Sequence, residues 1–214
     1  MDDDVARRYN RVAGTYSTRY ADPKAVAAYF VGLVATWGAA VPPGSTVLEV
    51  GCADGFITEA LSLAGYRVTA VDVAPEMVRV ARERLAARGL EADVRVGDVG
   101  SFDADGSWDV LLGTMRTFYA YVDDPSSALA RLAPSITVKA IVDLNPRTHA
   151  IDDARKDLLA AGFDATRWRP ASIPTRYRVG RAGRAALELA LRIPPVRDAV
   201  LRRKLNVVVL GERR

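Results

Sequence analysis

The chain has 214 residues, half of them hydrophobic, with a mean hydropathy of +0.02 and a formal charge of +4. That length fills one core and is short for two, the composition excludes disordered and collagen-like classes, and no stretch approaches the ~20 apolar residues of a membrane-spanning helix. A single cysteine, Cys52, excludes an internal disulfide, and the start MDDDVARRYN carries no apolar secretory segment, so the cytoplasm is the expected compartment.

In chain order, Asp4 to Tyr20 sets Val5, Tyr9, Val12, Ala13, Tyr16 and Tyr20 at spacings near three and four, which predicts a helix with one aromatic face. Pro23 suits a first helical turn and opens a second helix running to about Gly38. The stretch Ser45 to Phe56, STVLEVGCADGF, organises the rest of the chain. Thr46, Val47, Leu48 and Val50 read as a buried parallel strand, Gly51 and Gly55 bracket a tight loop, and Ile57, Ala60, Leu61 and Ala64 recur at helical spacing. A strand, a glycine loop and a helix in that order present unpaired backbone N–H groups and let a ligand approach the main chain.

A second strand, Arg67 to Val71, ends in Asp72 about 20 residues beyond the loop, where a carboxylate can accept both hydroxyls of a ribose. The expected ligand is therefore a nucleoside. A dinucleotide fingerprint would place glycines at 51, 53 and 56, but Ala53 and Phe56 stand at two of these, and no Walker-type Gly-Lys-Ser or Gly-Lys-Thr occurs.

Pro75 opens a helix through Arg88 with Met77, Val78, Ala81 and Leu85 on one side, and Gly89 ends it. Strand three, Ala92 to Val96, delivers Gly97 and Asp98; strand four is Trp108 to Leu112. The following loop, Gly113 to Tyr121 (GTMRTFYAY), lies at the carboxyl edge where open α/β sheets bind ligands. Arg116 there suits a carboxylate or phosphate, and Phe118, Tyr119 and Tyr121 suit the walls of an apolar pocket. Strand five, Ile136 to Leu144, leads to Asp143, Asn145, Arg147 and His149. His149 is the only histidine and reads either as a general base or as a surface or capping group.

A helix over Asp152 to Ala161, a strand over Phe163 to Arg169 and a last strand over Leu205 to Leu210 complete the pattern. Between those strands lies an insertion of roughly 35 residues, longer than ordinary connections. It holds an apolar stripe, Leu187, Ala190 and Leu191, then Pro194, Pro195, Val196 and Val200. Arg167, Arg169, Arg176, Arg178, Arg181, Arg184, Arg192, Arg197, Arg202, Arg203 and Lys204 crowd the same region. That segment reads as a solvated face or as a contact for an anionic acceptor, an acyl carrier, a membrane surface or nucleic acid. The insertion itself reads equally as a cap on an acceptor pocket, a dimer contact or an interfacial helix.

The three stretches VLEVGCADG, VTAVDVAPEMVRVARER and VRVGDV resemble the successive motifs of class I S-adenosylmethionine-dependent methyltransferases, over roughly Val47 to Leu144. The resemblance implies a single α/β domain over residues 1–214: a Rossmann-like seven-stranded sheet, mostly parallel with an antiparallel last strand, and helices on both faces. It adds a helical lid over 1–40, in which Tyr9, Ala13 and Tyr16 match the helix that closes over the cofactor, and a basic helical insertion over 170–204. S-adenosyl-L-methionine is the implied cofactor, held by Tyr16, Glu49, Gly51, Cys52, Ala53, Gly55, Asp72, Val73, Met77, Asp98, Val99, Gly113 and Thr114. In this family Asp98 would accept from the adenine amine, with Val73 and Val99 lining the ring; the alternative is a cap on the next segment. Ala53 departs from the middle glycine of the usual GxGxG, and makes φ > 0 costly there.

For the acceptor, Tyr9, Tyr16, Arg116, Phe118, Tyr119, Asn145 and Arg147 are the expected contacts, and His149, Tyr119 and Arg116 the expected catalytic residues. Gly113 stands where metal-dependent relatives carry an acid, so no metal is expected. The Asn/Asp-Pro-Pro-aromatic signature of base-amine methylation is absent, which demotes nucleic acid as acceptor. The expected reaction is methyl transfer to an oxygen or nitrogen of a small molecule that is aromatic, lipid-like or anionic. An RNA-directed enzyme using the basic segment and a non-catalytic cofactor-binding module stay open, as does the oligomeric state.

Overall fold

A computed structural model describes residues 3–114, 116–171, 181–201 and 206–213. Seven strands form one sheet in the order β3-β2-β1-β4-β5-β7-β6. They are β1 Thr46–Val50, β2 Arg67–Asp72, β3 Asp93–Val96, β4 Trp108–Gly113, β5 Ile136–Leu144, β6 Ala165–Pro170 and β7 Val207–Glu212. The first five pair in parallel, and β7 runs antiparallel to both β5 and β6. The expected Rossmann-like architecture is thus the observed one, with two antiparallel pairings at its far edge.

The central strands read as unbroken apolar runs because both of their faces are covered. Alternate side chains go opposite ways. Val47, Val110, Leu112 and Ile141 share one core with Val26, Phe30 and Leu33 of α2 (Pro23–Thr36), Ile57 and Leu61 of α3 (Phe56–Leu63), and Met77 and Leu85 of α4 (Pro75–Ala86). Leu48, Val50, Leu111 and Val142 share the other with Phe118 of α5 (Thr117–Tyr121), Leu129 and Leu132 of α6 (Pro125–Leu132), and Leu158 of α7 (Ile151–Ala160). Strand order reverses between β1 and β4, so a crevice opens outside their carboxyl ends.

Three local expectations need correction. Residues 4–20 are not one helix: α1 (Asp3–Asn10) stops at Asn10, and two 3-10 turns come after it, Ala13–Thr15 and Ser17–Arg19. Gly14 and the hydroxyl residues after it are poor helix formers, and Thr15 and Thr18 hydroxyls bond instead to the carbonyls of Val12 and Thr15. The loop after β4 contains the short helix α5. Finally, α6 has no counterpart among the expected helices, although Asp124 caps it by accepting from Ser127 N at 3.0 Å and Pro125 fills its first turn.

In the insertion, α8 (Arg181–Ala190) begins ahead of the expected stripe and α9 (Pro194–Leu201) comes after it. Leu205, Arg176, Arg178, Arg202, Arg203 and Lys204 lie outside the described residues. At the opposite end of the sheet, Lys139 of β5 is fully buried and donates to the carbonyls of Trp37 at 2.8 Å and Ala39 at 2.7 Å. Its ammonium satisfies carbonyls that the end of α2 leaves without partners.

Candidate cofactor and acceptor site

The glycine loop leaves β1 through three left-handed residues, Gly51 (φ +76°), Ala53 (φ +48°) and Gly55 (φ +75°). Gly51 and Gly55 leave no room for a side chain, since an added Cβ would collide with Thr117 and with Ala81 respectively. Ala53 does carry one, and its N–H donates to Asp72 Oδ2 at 2.8 Å while Ala74 N donates to Oδ1 at 2.9 Å. The acid ending β2 is thereby fixed against the loop. Burial raises the Asp72 pKa, and the N–H donors of Ala74, Ala53 and Val73 oppose that rise.

Gly51, Ala53, Asp72, Val73 and Val99 line one cavity together with Gly97 and Thr117. Val5, Tyr9, Tyr16 and Tyr121 cover it and leave about 40 Å³. The cover is knit together: Tyr9 OH donates to Tyr121 OH at 2.5 Å with the rings edge to face, and the Tyr16 ring stands edge-on to Tyr9 at 5.9 Å. Burial pushes the Tyr9 and Tyr16 hydroxyls up, and that of Tyr20 up to about 12.

Other residues expected around the cofactor are not among those lining this cavity. Glu49 is fully buried, accepts from Thr58 Oγ1 at 2.7 Å and keeps Oε1 without a partner; burial pushes its carboxyl up to about 8. Cys52 and Met77 are packed in the core, and burial raises the thiol's pKa. Gly55 heads α3, Gly113 packs under Phe118, and buried Thr114 donates to the Gly51 carbonyl at 3.2 Å. Asp98 accepts from Gly100 N at 2.7 Å and so caps the turn after β3.

A second cavity, of about 460 Å³, adjoins the first and shares Val5 and Tyr121 with it. Arg116, Tyr119, Asn145 and His149 line it, as do Thr148 and the exposed Asp123. Tyr119 donates to Asp157 Oδ2 at 3.1 Å, and its ring lies 5.7 Å from that of His149. Burial and the neighbouring Asp157 raise the Tyr119 hydroxyl's pKa. His149 Nδ1 is 3.0 Å from Thr148 Oγ1. Phe118 is only 1% exposed and belongs to the core, and Arg147 N donates to Asn145 Oδ1 without its residue lining either cavity.

Sequence reasoning gives no site role to Val5, Gly97, Thr117 or Asp143. Val5 is spaced one helical turn before Tyr9, which is a usable signal. Asp143 ends β5 almost completely buried; Oδ1 accepts from Arg116 N and Oδ2 from Asn206 Nδ2 at 3.4 Å. Burial pushes its carboxyl up to about 7, against the opposing pull of Arg116. Among the described residues, no three His, Cys, Asp or Glu side chains gather as metal ligands would, and no helix is long and apolar enough to cross a membrane.

A left-handed glycine loop against an acid at the end of β2, under a sheet with an antiparallel far edge, defines a Rossmann-like α/β fold with a crevice at its switch point. Residues 47–137 match the profile of the family described as a methyltransferase domain. The ubiquinone biosynthesis O-methyltransferase of Xanthomonas axonopodis pv. citri is 37% identical over 94 residues, which are 43% of this chain and 38% of that protein. The match therefore spans well under half the length of that relative. Magnesium protoporphyrin IX methyltransferase from Synechocystis PCC 6803, with bound SAM, superposes with a TM-score of 0.61 at 18% identity, over 100% of this chain and 86% of that one. Phosphoethanolamine N-methyltransferase 2 of Haemonchus contortus gives a TM-score of 0.68 at 11% identity, over 95% and 57%. These two likenesses concern the fold.

Proposed function

We propose that the protein transfers a methyl group from S-adenosylmethionine to an oxygen or nitrogen of a small-molecule acceptor. The observation that carries this reading is the pair of adjoining cavities with Tyr121 between them, one built on Asp72 and the glycine loop, the other on Arg116, Asn145 and His149. The first fits the cofactor chemically: Asp72 offers carboxylate oxygens to ribose hydroxyls, Gly51 and Ala53 offer close main chain, and Val73 and Val99 offer an apolar seat for a base. Bound there, the cofactor supplies an electrophilic methyl group on a sulfonium. The chain's own contribution is mainly alignment in a water-poor pocket, which supplies most of the acceleration in a displacement of this type.

The covering segment acts in this reading as a lid. A cavity of about 40 Å³ is far below the ~300 Å³ at which small-molecule sites begin, and Tyr9 and Tyr16 take up the difference. Mobility belongs to α1 and the turns after it, because α2 is anchored in the core by Val26, Phe30, Leu33 and Val34. On the acceptor side His149 takes up the proton released by the acceptor, and Tyr119, tied to Asp157, orients the imidazole through its ring. Exposed Leu189, Ile193 and Val196 in the Arg-rich insertion support a contact surface there, facing an acyl carrier or a membrane. The O-methyltransferase names of the relatives support an oxygen acceptor of low molecular weight.

The test is calorimetric titration with S-adenosylmethionine, followed by a screen of small hydroxylated and amino acceptors for release of S-adenosylhomocysteine. One-to-one binding with acceptor-dependent release supports the reading. Lack of binding, or binding without release across every acceptor class, contradicts it.

A further inference from the structure

Among the described residues only two non-glycine positions adopt a left-handed backbone, and they stand one on each cavity: Ala53 on the cofactor side and Arg116 (φ +67°) on the acceptor side. Glycine would hold either conformation without steric cost. A bulky residue kept in it marks a place where the side chain has a use, because such conformations persist only when their surroundings over-determine them. The surroundings at Arg116 do so. Its N–H is bound by the buried carboxylate of Asp143 at the end of β5, and its carbonyl accepts from Ala120 N at 2.8 Å as α5 begins.

The guanidinium held in this way forms no ion pair among the described residues, feeling only the longer-range pull of the buried Asp143, whereas Arg84, Arg95 and Arg167 each pair with a carboxylate. Arg131 and Arg213 are instead committed to main-chain carbonyls. Arg116, whose planar fork of donors forms no ion pair among the described residues, lines a cavity of about 460 Å³ together with Asn145 and His149, which add further polar groups, and the rings of Tyr119 and Tyr121, which supply flat apolar walls. We infer that the acceptor is a small aromatic acid whose carboxylate docks on Arg116, and that Asp143 is the positioning residue that sets the backbone from which Arg116 reaches it. This rests on the methyltransferase reading above and adds to it the class of substrate. Asp123, the other charged residue lining the cavity, is exposed, so solvent screens its charge.

The experiment uses the full chain loaded with S-adenosylhomocysteine, and the probes are benzoate, salicylate and 4-hydroxybenzoate, each beside its uncharged amide. At least one acid should bind about tenfold tighter than its amide, the scale of one charge-assisted hydrogen bond. In Arg116→Gly that preference should fall to within about twofold, with S-adenosylhomocysteine affinity kept and the melting temperature unchanged or raised, because glycine relieves the left-handed strain. Asp143→Asn should weaken the acid preference in the wild-type background and cost nothing further in the Arg116→Gly background, where no backbone needs pinning. A merely structural Asp143 would lower the melting temperature alike in both backgrounds and leave the acid preference alone. Equal binding of every acid and its amide, or a preference that survives Arg116→Gly, overturns the inference alone. Failure of the wild type to bind S-adenosylhomocysteine overturns it together with the methyltransferase reading.

Discussion

The N–H of Ala53 donates to Asp72 Oδ2 at 2.8 Å, tying the left-handed residue of the glycine loop to the acid that ends the neighbouring strand, 19 positions on. Loop shape and carboxylate position are one feature here, since each is held by the other. Ala53→Gly separates them: it removes the left-handed penalty and should stabilise the protein by up to ~1 kcal/mol in urea unfolding while keeping cofactor affinity. A loss of stability in that variant would show that the alanine methyl contributes packing that outweighs the strain.

Stability should depend on pH through two buried acids. Glu49 is pushed up to about 8 and Asp143 up to about 7, both chiefly by burial. Each raised folded-state pKa means that the native state holds a proton which the unfolded chain releases. Their contribution is therefore complete below about pH 4 and is lost as pH rises through about 7 and 8. Glu49→Gln should flatten this decline and be more stable than wild type at pH 8.5 by about 1–3 kcal/mol, read from urea midpoints. Parallel pH profiles for variant and wild type would contradict the assignment.

Lys139 carries the end of α2. Replacing it with Met strips the donors from the Trp37 and Ala39 carbonyls and should cost about 3 kcal/mol, measured by denaturant unfolding. The ammonium is pushed down to about 8 by burial, with Glu212 opposing. Between that value and the ordinary lysine range the unfolded chain binds more protons, so this group's contribution to stability should rise with pH above about 8. A Lys139→Met variant as stable as wild type at pH 7 would show that the carbonyls find other partners.

The Tyr9–Tyr121 bond closes the cavity over the glycine loop, where the cofactor is proposed to sit. Tyr9→Phe keeps the ring packing and removes the bond, worth about 1 kcal/mol net, so S-adenosylhomocysteine should associate about fivefold faster in surface plasmon resonance. Unchanged association would mean that the lid opens without breaking this contact.

Where sequence-local chemistry decides structure, the sequence can be read. The β-branched runs that form β1, β2, β4 and β5, the prolines that start α2 and α4, and the turn at Gly51 and Gly55 that ends the first strand all show in residue types a few positions apart. Features set by distant partners cannot be read in this way. In sequence Asp143 is one polar residue at a strand end, and only the fold brings to it the N–H of Arg116, 27 positions earlier. Tyr9 and Tyr121 meet across 112 positions. Over residues 4–20 the apolar spacing is helical but Gly14, Thr15 and Thr18 favour turns, so local propensity breaks the helix that the pattern proposes. Phe118 reads as a pocket wall because aromatics near a ligand edge invite that, yet strand β4 ends in Gly113, which lets its ring sink into the core.

In the proposed reaction Asp72 grips the sugar of the adenosyl cofactor beside the glycine loop. Calorimetric titration of S-adenosylhomocysteine into the wild type and Asp72→Ala measures that grip. The expected result is one site per chain in the wild type and affinity weakened about a hundredfold in the variant, the loss of two hydrogen bonds to a charged group. Equal affinity in the two proteins would contradict it.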